Sequence, residues 1–295
     1  MFKLIALDID GTLINSGGKI SAINKKIIKT AQAQGYLITL NTGRSFYSAY
    51  KYAQELEIDI PIITANGTLI RDPKTFEVKY QLNFPQNTAL EIANFLSKKK
   101  GISCQAYHLE GILLSGVGLV GLAKLSNRKG LLSLKRLIAM YEESKRSKTI
   151  RVKDFVNAVS NHQIQKFFVA AKTETGKIIE KELEEFPCTV ETHYEGENGY
   201  LEIIPQGASK GEGLKRLASM YNLTLDQTIA VGDSANDVSM FQVAGLSVAM
   251  ANATQYAKSH AKHITFSNED DGVAAVIKEF MLTPVKDFKF IKKAQ

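Results

Sequence analysis

The sequence predicts an α/β fold in which helices pack on a parallel sheet. Short apolar runs alternate with segments of helical periodicity in the first third of the chain, and the same alternation returns in the last third. Acidic, amide or hydroxyl side chains directly follow several of these runs. In parallel sheets the carboxyl ends of the strands meet at one edge, where ligands bind. We therefore expect functional residues directly after strands, and the length of 295 residues suits two domains.

The first predicted strand covers residues 4–7 and leads directly into Asp8 and Asp10. Gly11 permits a sharp turn there because it has no Cβ. Two carboxylates this close repel each other unless a cation lies between them or one of them holds a proton. The pattern favours a magnesium-type site in which one carboxylate is a nucleophile and the other an acid or base. The alternative is an acidic turn with Thr12 as a helix cap.

The next segments continue the alternation, and their predicted bounds are 21–34 (helix), 36–40 (strand), 45–57 (helix) and 60–64 (strand). The second strand runs into Thr42, Gly43 and Arg44, and the third ends at Asn66, which a glycine follows as in a turn. A threonine hydroxyl and a backbone N–H are groups that can hold a phosphoryl oxygen. An ordinary turn threonine is the alternative for Thr42.

The middle of the chain, residues 84–193, has a different pattern. It is predicted to contain helices 88–100 and 131–144, strands 165–171 and 189–194, and a strand and loop over 111–121. It carries 17 Lys and Arg against 11 Asp and Glu, so most of the net charge of +7 lies there. A basic surface attracts anionic small molecules or polynucleotides, or is simply solvated. The cluster between Lys145 and Lys153 has little interleaved aromatic character and no nucleic-acid-binding motif, so we do not expect nucleic acid binding.

The α/β alternation returns near Tyr200. The predicted elements are a strand from 200, a helix over 211–221, a strand over 228–231, a helix over 238–244, strands over 247–250 and 263–265, and a helix over 272–280. Asp233 follows a strand and a glycine, and Asp237 lies one helical turn later, so both carboxylates can reach the cation that Asp8 binds. Asn236 between them offers an amide, and Lys210 offers an ammonium for a phosphoryl oxygen. The alternatives are a helix-capping role for Asp233 and a surface position for Lys210.

Taken in order, these pieces resemble the four motifs of the haloacid dehalogenase-like (HAD) hydrolase superfamily, in particular its Cof-type subgroup, subfamily IIB. The matching positions are Asp8-Ile9-Asp10-Gly11-Thr12-Leu13, Thr42-Gly43-Arg44, Ser209-Lys210-Gly211 and Gly232-Asp233 through Asn236-Asp237. Segments 248–253 and 268–273 also resemble that subgroup. One departure is Ala251, where the subgroup usually has glycine. The match is specific for fold and reaction class because four motifs occur in one order.

The resemblance implies a Rossmann-like core, residues 1–83 and 194–295, with an inserted α/β cap, residues 84–193. In the implied reaction Asp8 attacks the phosphorus of a monoester and forms an aspartyl-phosphate. Asp10 protonates the leaving oxygen and then activates water. The implied Mg²⁺ ligands are Asp8, the Asp10 carbonyl, Asp233 and Asp237. The implied phosphate-binding groups are the Ile9 and Gly43 amides, Thr42, Lys210 and Asn236, with Arg44 and Asn66 near the substrate.

These features predict a magnesium-dependent phosphatase of small phosphate monoesters, such as a sugar phosphate or a phosphorylated cofactor. A phosphomutase of the same fold is the alternative within enzymes, and a binding or regulatory protein that has lost catalysis is the alternative outside them. Two cysteines are too few for a disulfide framework, which favours the cytoplasm. Since no apolar run approaches the roughly 20 residues of a membrane span, we expect no membrane partner. We expect a monomer or a weak homodimer.

Overall fold

The computed structural model describes residues 1–116 and 144–282. The predicted helix over 131–144 lies outside these residues except for residue 144. The predicted strand and loop over 111–121 lies outside them from residue 117 onward. The described chain forms two compact units, one from residues 1–39 and from 218 onward, the other from residues 40–217. No helix within the described ranges is both long and apolar enough to cross a bilayer.

The strands, in chain order, are β1 (Leu4–Leu7), β2 (Leu37–Leu40), β3 (Ile62–Thr64), β4 (Leu69–Arg71), β5 (Val78–Gln81), β6 (Ser103–His108), β7 (Gly111–Gly116), β8 (Thr149–Arg151), β9 (Ile164–Lys172), β10 (Cys188–Glu195), β11 (Asn198–Pro205), β12 (Thr228–Gly232), β13 (Leu246–Ala249) and β14 (His263–Ile264). The α-helices are α1 (Ala22–Ala33), α2 (Phe46–Glu55), α3 (Gln86–Ser97), α4 (Phe155–Ser160), α5 (Thr173–Glu182), α6 (Lys210–Met220), α7 (Val238–Val243), α8 (Gln255–His260) and α9 (Gly272–Ile277).

The first unit contains a five-stranded sheet with the order β14-β13-β12-β1-β2. The pairs β1–β12, β12–β13 and β13–β14 are all parallel, as the sequence predicts. All four residues of β1 are fully buried, which explains why this strand is a continuous apolar run. Leu7 lies opposite Val231, so the chain leaves β1 and β12 at the same edge of the sheet. The fold therefore brings Asp8 and the loop that begins at Asp233 together.

The second unit contains a six-stranded sheet with the order β10-β11-β9-β6-β7-β8, antiparallel except for the pair β7–β8. One face packs against α3, α4 and α5 in an apolar core to which Phe167, Val169 and Leu201 contribute. Because side chains alternate along a strand, Lys166, Phe168 and Glu202 lie on the opposite face. That face carries Lys166 and Glu202, which belong to the polar network described below.

Two of the predicted strands pair differently from the expectation, and β4, β5, β6 and β8 lie where no strand was predicted. Ile62–Thr64 is not a further strand of the parallel sheet: β3 pairs antiparallel with β4, because Asn66 and Gly67, with φ of 57° and 86°, reverse the chain. An isolated parallel bridge, Asn41 to Ile63, is what remains of the expected pairing. Strand β11 does not resume the parallel sheet either. It pairs with β10 along its whole length through a tight turn at Gly196, whose φ is 58°.

Candidate active site

Three carboxylates form a cluster in the first unit. Asp8, Asp233 and Asp237 each offer an oxygen, and these oxygens lie within 4.8 Å of one another. Asp8 is 4% exposed and Asp237 is fully buried, whereas Asp233 is half-buried. Three negative charges this close are unfavourable without a compensating cation. A set of hard carboxylate oxygens is what Mg²⁺ prefers, so the residues fit a divalent cation.

The turn after β1 is shaped to reach this cluster. Gly11 has a φ of 71°, and a Cβ placed on it would lie 2.3 Å from Oδ2 of Asp233. Glycine is therefore required at position 11 for two reasons: its left-handed backbone and the close approach of the Asp233 carboxylate. The hydroxyl of Thr12, which is fully buried, donates to Oδ1 of Asp233 at 3.0 Å. This threonine orients a carboxylate of the cluster, whereas Asp10, two residues earlier, is exposed.

Asp237 shapes the second acidic turn. Its Oδ2 accepts the backbone N–H of Asp233 at 2.8 Å and that of Ser234 at 2.9 Å. Glycine is also needed at 232, because a Cβ there would lie 2.3 Å from Cγ of Asp237. Asn236 is half-buried and accepts a hydrogen bond from the Ser234 hydroxyl at 3.0 Å. Ser234 is the N-cap of the short helical turn over Ala235–Asp237, and Asp237 is its partner in a capping box, so the capping role considered for Asp233 belongs to Ser234.

Two asparagines from later segments support the first turn. The Asn252 amide donates to the Gly11 carbonyl at 2.8 Å, and its oxygen accepts the backbone N–H of Asn268 at 3.0 Å. The Asn268 side chain in turn donates to the Ile14 carbonyl at 2.9 Å. These residues lie in the segments 248–253 and 268–273, which sequence reasoning singled out only by resemblance. The structure gives the physical reason: they hold the backbone at Gly11 and Ile14, in the turn that follows Asp8 and Asp10.

In the second unit, hydrogen bonds fix the loop that contains Thr42. Its N–H donates to the Ile63 carbonyl at 3.0 Å, and its own carbonyl accepts the Asn66 N–H at 3.1 Å. The Arg44 carbonyl accepts the Ala65 N–H at 2.8 Å. The Thr42 Oγ1 accepts the Arg44 N–H at 3.2 Å, which leaves its hydroxyl proton directed elsewhere. These hydrogen bonds fix one backbone geometry of the loop, and the threonine hydroxyl can still donate to an anion.

Lys210 is the first residue of α6 and is 1% exposed. Its carbonyl accepts the Asn41 side-chain amide at 2.9 Å, and Ser209 caps the helix by accepting the Glu212 N–H at 3.0 Å. A Cβ on Gly67 would lie 2.0 Å from the Ser209 carbonyl oxygen, so only glycine permits this approach. The start of α6 is thus fixed against the residues that follow β2 and β3.

An ionic network lies beside the Thr42 loop, and we call it the Lys166 network: Lys166, Asn66, Glu202 and Glu191. Lys166 and Asn66 are buried, whereas the two glutamates are half-buried. The Lys166 ammonium donates to Oε1 of Glu202 at 2.5 Å, to Oδ1 of Asn66 at 2.8 Å and to the Gly43 carbonyl at 2.9 Å. The Asn66 amide donates to Oε2 of Glu202 at 2.7 Å and to Oε2 of Glu191. Sequence reasoning did not identify this network. Its one local signal is a lysine inside the apolar run of β9.

The two glutamates of the network have different proton affinities. Burial, together with the neighbouring carboxylate of Glu202, raises the pKa of Glu191 to about 7. Burial also disfavours the charged form of Glu202, but the Lys166 ammonium together with the Asn66 amide and the charge of Lys210 outweighs it and keeps the pKa of Glu202 below its ordinary value. The charge of Lys210 also lowers both pKa values. The network therefore contains one ionised carboxylate and one that titrates near neutrality.

The structure assigns the predicted site residues to the two units. The first unit contains Asp8, Ile9, Asp10, Asp233, Asn236 and Asp237, and the second contains Thr42, Gly43, Arg44, Asn66 and Lys210. Both N–H groups of the Asn66 amide are donated to carboxylates of the chain. The Arg44 guanidinium donates to the Ser48 hydroxyl at 2.9 Å and lies over the Tyr52 ring. Contact of these two residues with a substrate stays a prediction.

Comparisons with known proteins agree with the motifs. A family model described as haloacid dehalogenase-like hydrolase matches residues 5–277. The phosphatase YwpJ of Bacillus subtilis (strain 168) is 30% identical over 296 residues, which cover 95% of this chain and all of YwpJ. The 5-amino-6-(5-phospho-D-ribitylamino)uracil phosphatase YwtE of the same organism is 32% identical over 290 residues, covering 95% of this chain and 98% of YwtE.

Solved structures share the fold. A haloacid dehalogenase-like hydrolase from B. subtilis has a TM-score of 0.82 at 29% identity, covering 95% of this chain and all of that chain. A structure described as a HAD subclass IIB sugar phosphatase has a TM-score of 0.77 at 24% identity, covering 95% of this chain and all of that one. The α/β fold and the family resemblance predicted from the sequence are confirmed.

Proposed function

Since the chain belongs to the haloacid dehalogenase-like hydrolases, we propose that it is a magnesium-dependent phosphatase that hydrolyses small phosphate monoesters through an aspartyl-phosphate on Asp8. The observation that carries the proposal is the cluster of Asp8, Asp233 and Asp237, whose oxygens lie within 4.8 Å of one another. A buried carboxylate at the end of a strand, with acceptors for a cation beside it, has the arrangement that a phosphoryl-transfer nucleophile needs.

The metal would be held by the three clustered carboxylates together with the Asp10 carbonyl. When bound, Mg²⁺ would neutralise the charge of the phosphoryl group and of its ligands. The hydrogen bonds from Thr12 to Asp233, and from two backbone N–H groups to Asp237, orient these carboxylates before any ligand arrives. That preorganisation favours binding because little side-chain entropy remains to be lost.

The chemistry proceeds in two steps on residues of the first turn. A carboxylate oxygen of Asp8 attacks the phosphorus, the P–O bond to the leaving group breaks, and the leaving oxygen takes a proton from the Asp10 carboxyl. Water then attacks the phosphorus of the acyl phosphate and gives a proton to the Asp10 carboxylate. Inorganic phosphate leaves and Asp8 is restored. Asp10 is exposed, as a residue that exchanges protons with substrate and water requires.

The groups proposed to hold the phosphoryl oxygens are the Ile9 and Gly43 amides, Thr42, Lys210 and Asn236. Their support is that Thr42 retains a hydroxyl proton to donate and that Lys210 is buried and held at a helix start. Preorganised donors of this kind stabilise charge that develops in a transition state. Arg44 is proposed to lie near the leaving group.

The proposed substrate is a small phosphorylated metabolite, either a sugar phosphate or a phosphorylated cofactor or precursor. The relative YwtE, whose name gives a phosphorylated ribityl compound as its substrate, supports this class. The proposed setting is the cytoplasm, with the protein a monomer or a weak homodimer and residues 84–193 as the cap. The cysteines Cys104 and Cys188 are both free thiols, which suits a reducing compartment.

The test is phosphate release from a broad panel of monoesters, with Mg²⁺ and with EDTA. The variants are Asp8→Asn, which removes the nucleophile without changing its volume, and Asp59→Asn as a control at an exposed aspartate. We expect release that requires both Mg²⁺ and Asp8 and that Asp59→Asn leaves unchanged. Release by Asp8→Asn at the wild-type rate contradicts the mechanism. Activity that needs a bisphosphate activator identifies a phosphomutase instead.

A further inference from the structure

Lys166 is a charged residue in an unusual place. It lies on β9, on the face of the six-stranded sheet opposite the apolar core, and yet it is 0% exposed. Lysine is almost never fully buried unless it is paired, since an ammonium loses its hydration there. Its three hydrogen bonds use all three of its N–H groups, so the charge is satisfied by this one arrangement of neighbours.

The side chain of Asn66 is also held by three hydrogen bonds. Its backbone is left-handed, with a φ of 57°, and Ala65 before it has a φ of 48°. Residues with a Cβ rarely adopt this conformation, and such strain is typical of functional sites. The side-chain oxygen accepts from Lys166, and both amide hydrogens go to Glu202 and Glu191. Four polar side chains thus determine one backbone geometry.

A network of this kind is not needed for stability alone. Replacing a buried ion pair by apolar residues of similar volume is often neutral or stabilising, whereas removing one partner is strongly destabilising. Apolar side chains at Lys166 and Glu202 would fill the same space without the desolvation of two charges. What they could not supply is a donor to the Gly43 carbonyl and to the Asn66 amide.

The network orients the loop that contains Gly43. The Thr42 carbonyl accepts the Asn66 N–H, and the Gly43 carbonyl accepts the Lys166 ammonium. In a trans peptide the C=O and the following N–H point in opposite directions. The N–H of Gly43 therefore points away from Asn66. A Cβ on Gly43 would lie 2.9 Å from Oδ1 of Asn66, so the loop sits directly on the network.

We propose that Lys166 is a positioning residue for the phosphate-holding loop. It fixes the Gly43 carbonyl directly and the Thr42 carbonyl through Asn66, with Glu202 and Glu191 holding the Asn66 amide from the other side. The Gly43 N–H and the Thr42 hydroxyl are thereby aimed at one anion. This role rests on the proposed function, because the anion is the phosphoryl group of the substrate or free inorganic phosphate.

The experiment separates positioning from packing by comparing single and double variants. Lys166→Met should lower the Tm, because it leaves the half-buried Glu202 carboxylate without its partner. The double variant Lys166→Met with Glu202→Met should regain most of that Tm. We expect its kcat/KM, on the substrate that the wild type hydrolyses best, to stay at least 100-fold below the wild type. Lys172→Met, at an exposed lysine on the same strand, is the control and should match the wild type.

Binding of inorganic phosphate gives a second readout that does not need turnover. With Mg²⁺ present, the double variant should bind phosphate at least 10-fold more weakly than the wild type in a calorimetric titration. Asn66→Gly tests the same idea in a backbone that accepts a positive φ without strain. It should weaken phosphate binding, and because it removes three side-chain hydrogen bonds of the network it should also lower the Tm. Wild-type binding and kcat/KM in the double variant would overturn the proposal. If the wild type binds phosphate but hydrolyses no monoester, the proposed function fails while the binding comparison still decides the role of Lys166.

Discussion

Replacing Glu191 by Gln should change how the stability of the protein depends on pH. Burial is the largest cause that raises the pKa of Glu191, and the charge of Glu202 adds to it. Lys166, the Asn66 amide and Lys210 act in the opposite direction. The balance moves the pKa from an ordinary value of 4.5 to about 7. The folded protein thus binds a proton at Glu191 more tightly than the unfolded chain does.

The sign follows from proton linkage. Between pH 4.5 and about 7 the folded state holds more protons than the unfolded state, so stability falls as the pH rises. The contribution is fully present below the unfolded pKa and is lost once the pH passes the folded one. At about 1.4 kcal/mol per pH unit, the rise from pH 4.5 to about 7 lowers the free energy of unfolding by about 3 kcal/mol. The Gln variant does not ionise, so relative to the wild type it should gain about that much between pH 4 and pH 8.

Urea unfolding at several pH values, followed by far-UV circular dichroism, measures this difference. Tryptophan fluorescence is not an option, since the chain contains no tryptophan. The variant Glu185→Gln, at an exposed glutamate of the same unit, is the control, and its difference from the wild type should be small at every pH. A difference between Glu191→Gln and the wild type that is constant from pH 4 to pH 8 would refute the reasoning, since it would show that Glu191 titrates at its ordinary pKa.

Two further predictions concern the proposed catalytic groups. Lys210→Ala removes a preorganised cation and should lower kcat by about 10²–10³ in the phosphate-release assay; a loss of less than tenfold would contradict its assignment. Gly11→Ala places a Cβ 2.3 Å from Oδ2 of Asp233 and should raise the Mg²⁺ concentration needed for half-maximal activity. Gly18→Ala is the matched control, because Gly18 has a similar φ of 69° but no atom within 4 Å of the added Cβ, and an equal effect there would assign the change to backbone strain alone.

The parallel sheet and the acidic cluster were predictable because the relevant information is local. A strand buried on both faces is a continuous apolar run, and the residues that follow it are placed by the sheet itself. The strand pattern alone therefore assigns Asp8 and Asp233 to one edge. The helices α1, α2, α6, α7 and α9 were predictable for the same reason, since each has its own apolar periodicity.

The Lys166 network was not predictable because it depends on strand register. Glu191 lies opposite Glu202, and Glu202 opposite Phe168, only because β9, β10 and β11 pair as they do. Nothing in the local pattern of either hairpin strand specifies which partner it meets across the sheet. The lysine in β9 was visible as an exception inside an apolar run, but its partners come from segments 36 and 100 residues away.

The cost of these arrangements bears on whether the protein has lost catalysis. Three clustered carboxylates without a cation repel each other, and a left-handed asparagine stores strain, so each feature destabilises a fold that does not use it. A protein that only binds or regulates would be more stable with any one of the carboxylates replaced by an amide. Here the carboxylates are accompanied by their supports, Thr12 on Asp233 and Asn252 on the first turn, and the left-handed Asn66 is held by Lys166. The chain retains both the destabilising groups and the residues that hold them. This favours an active enzyme over a protein that has lost catalysis.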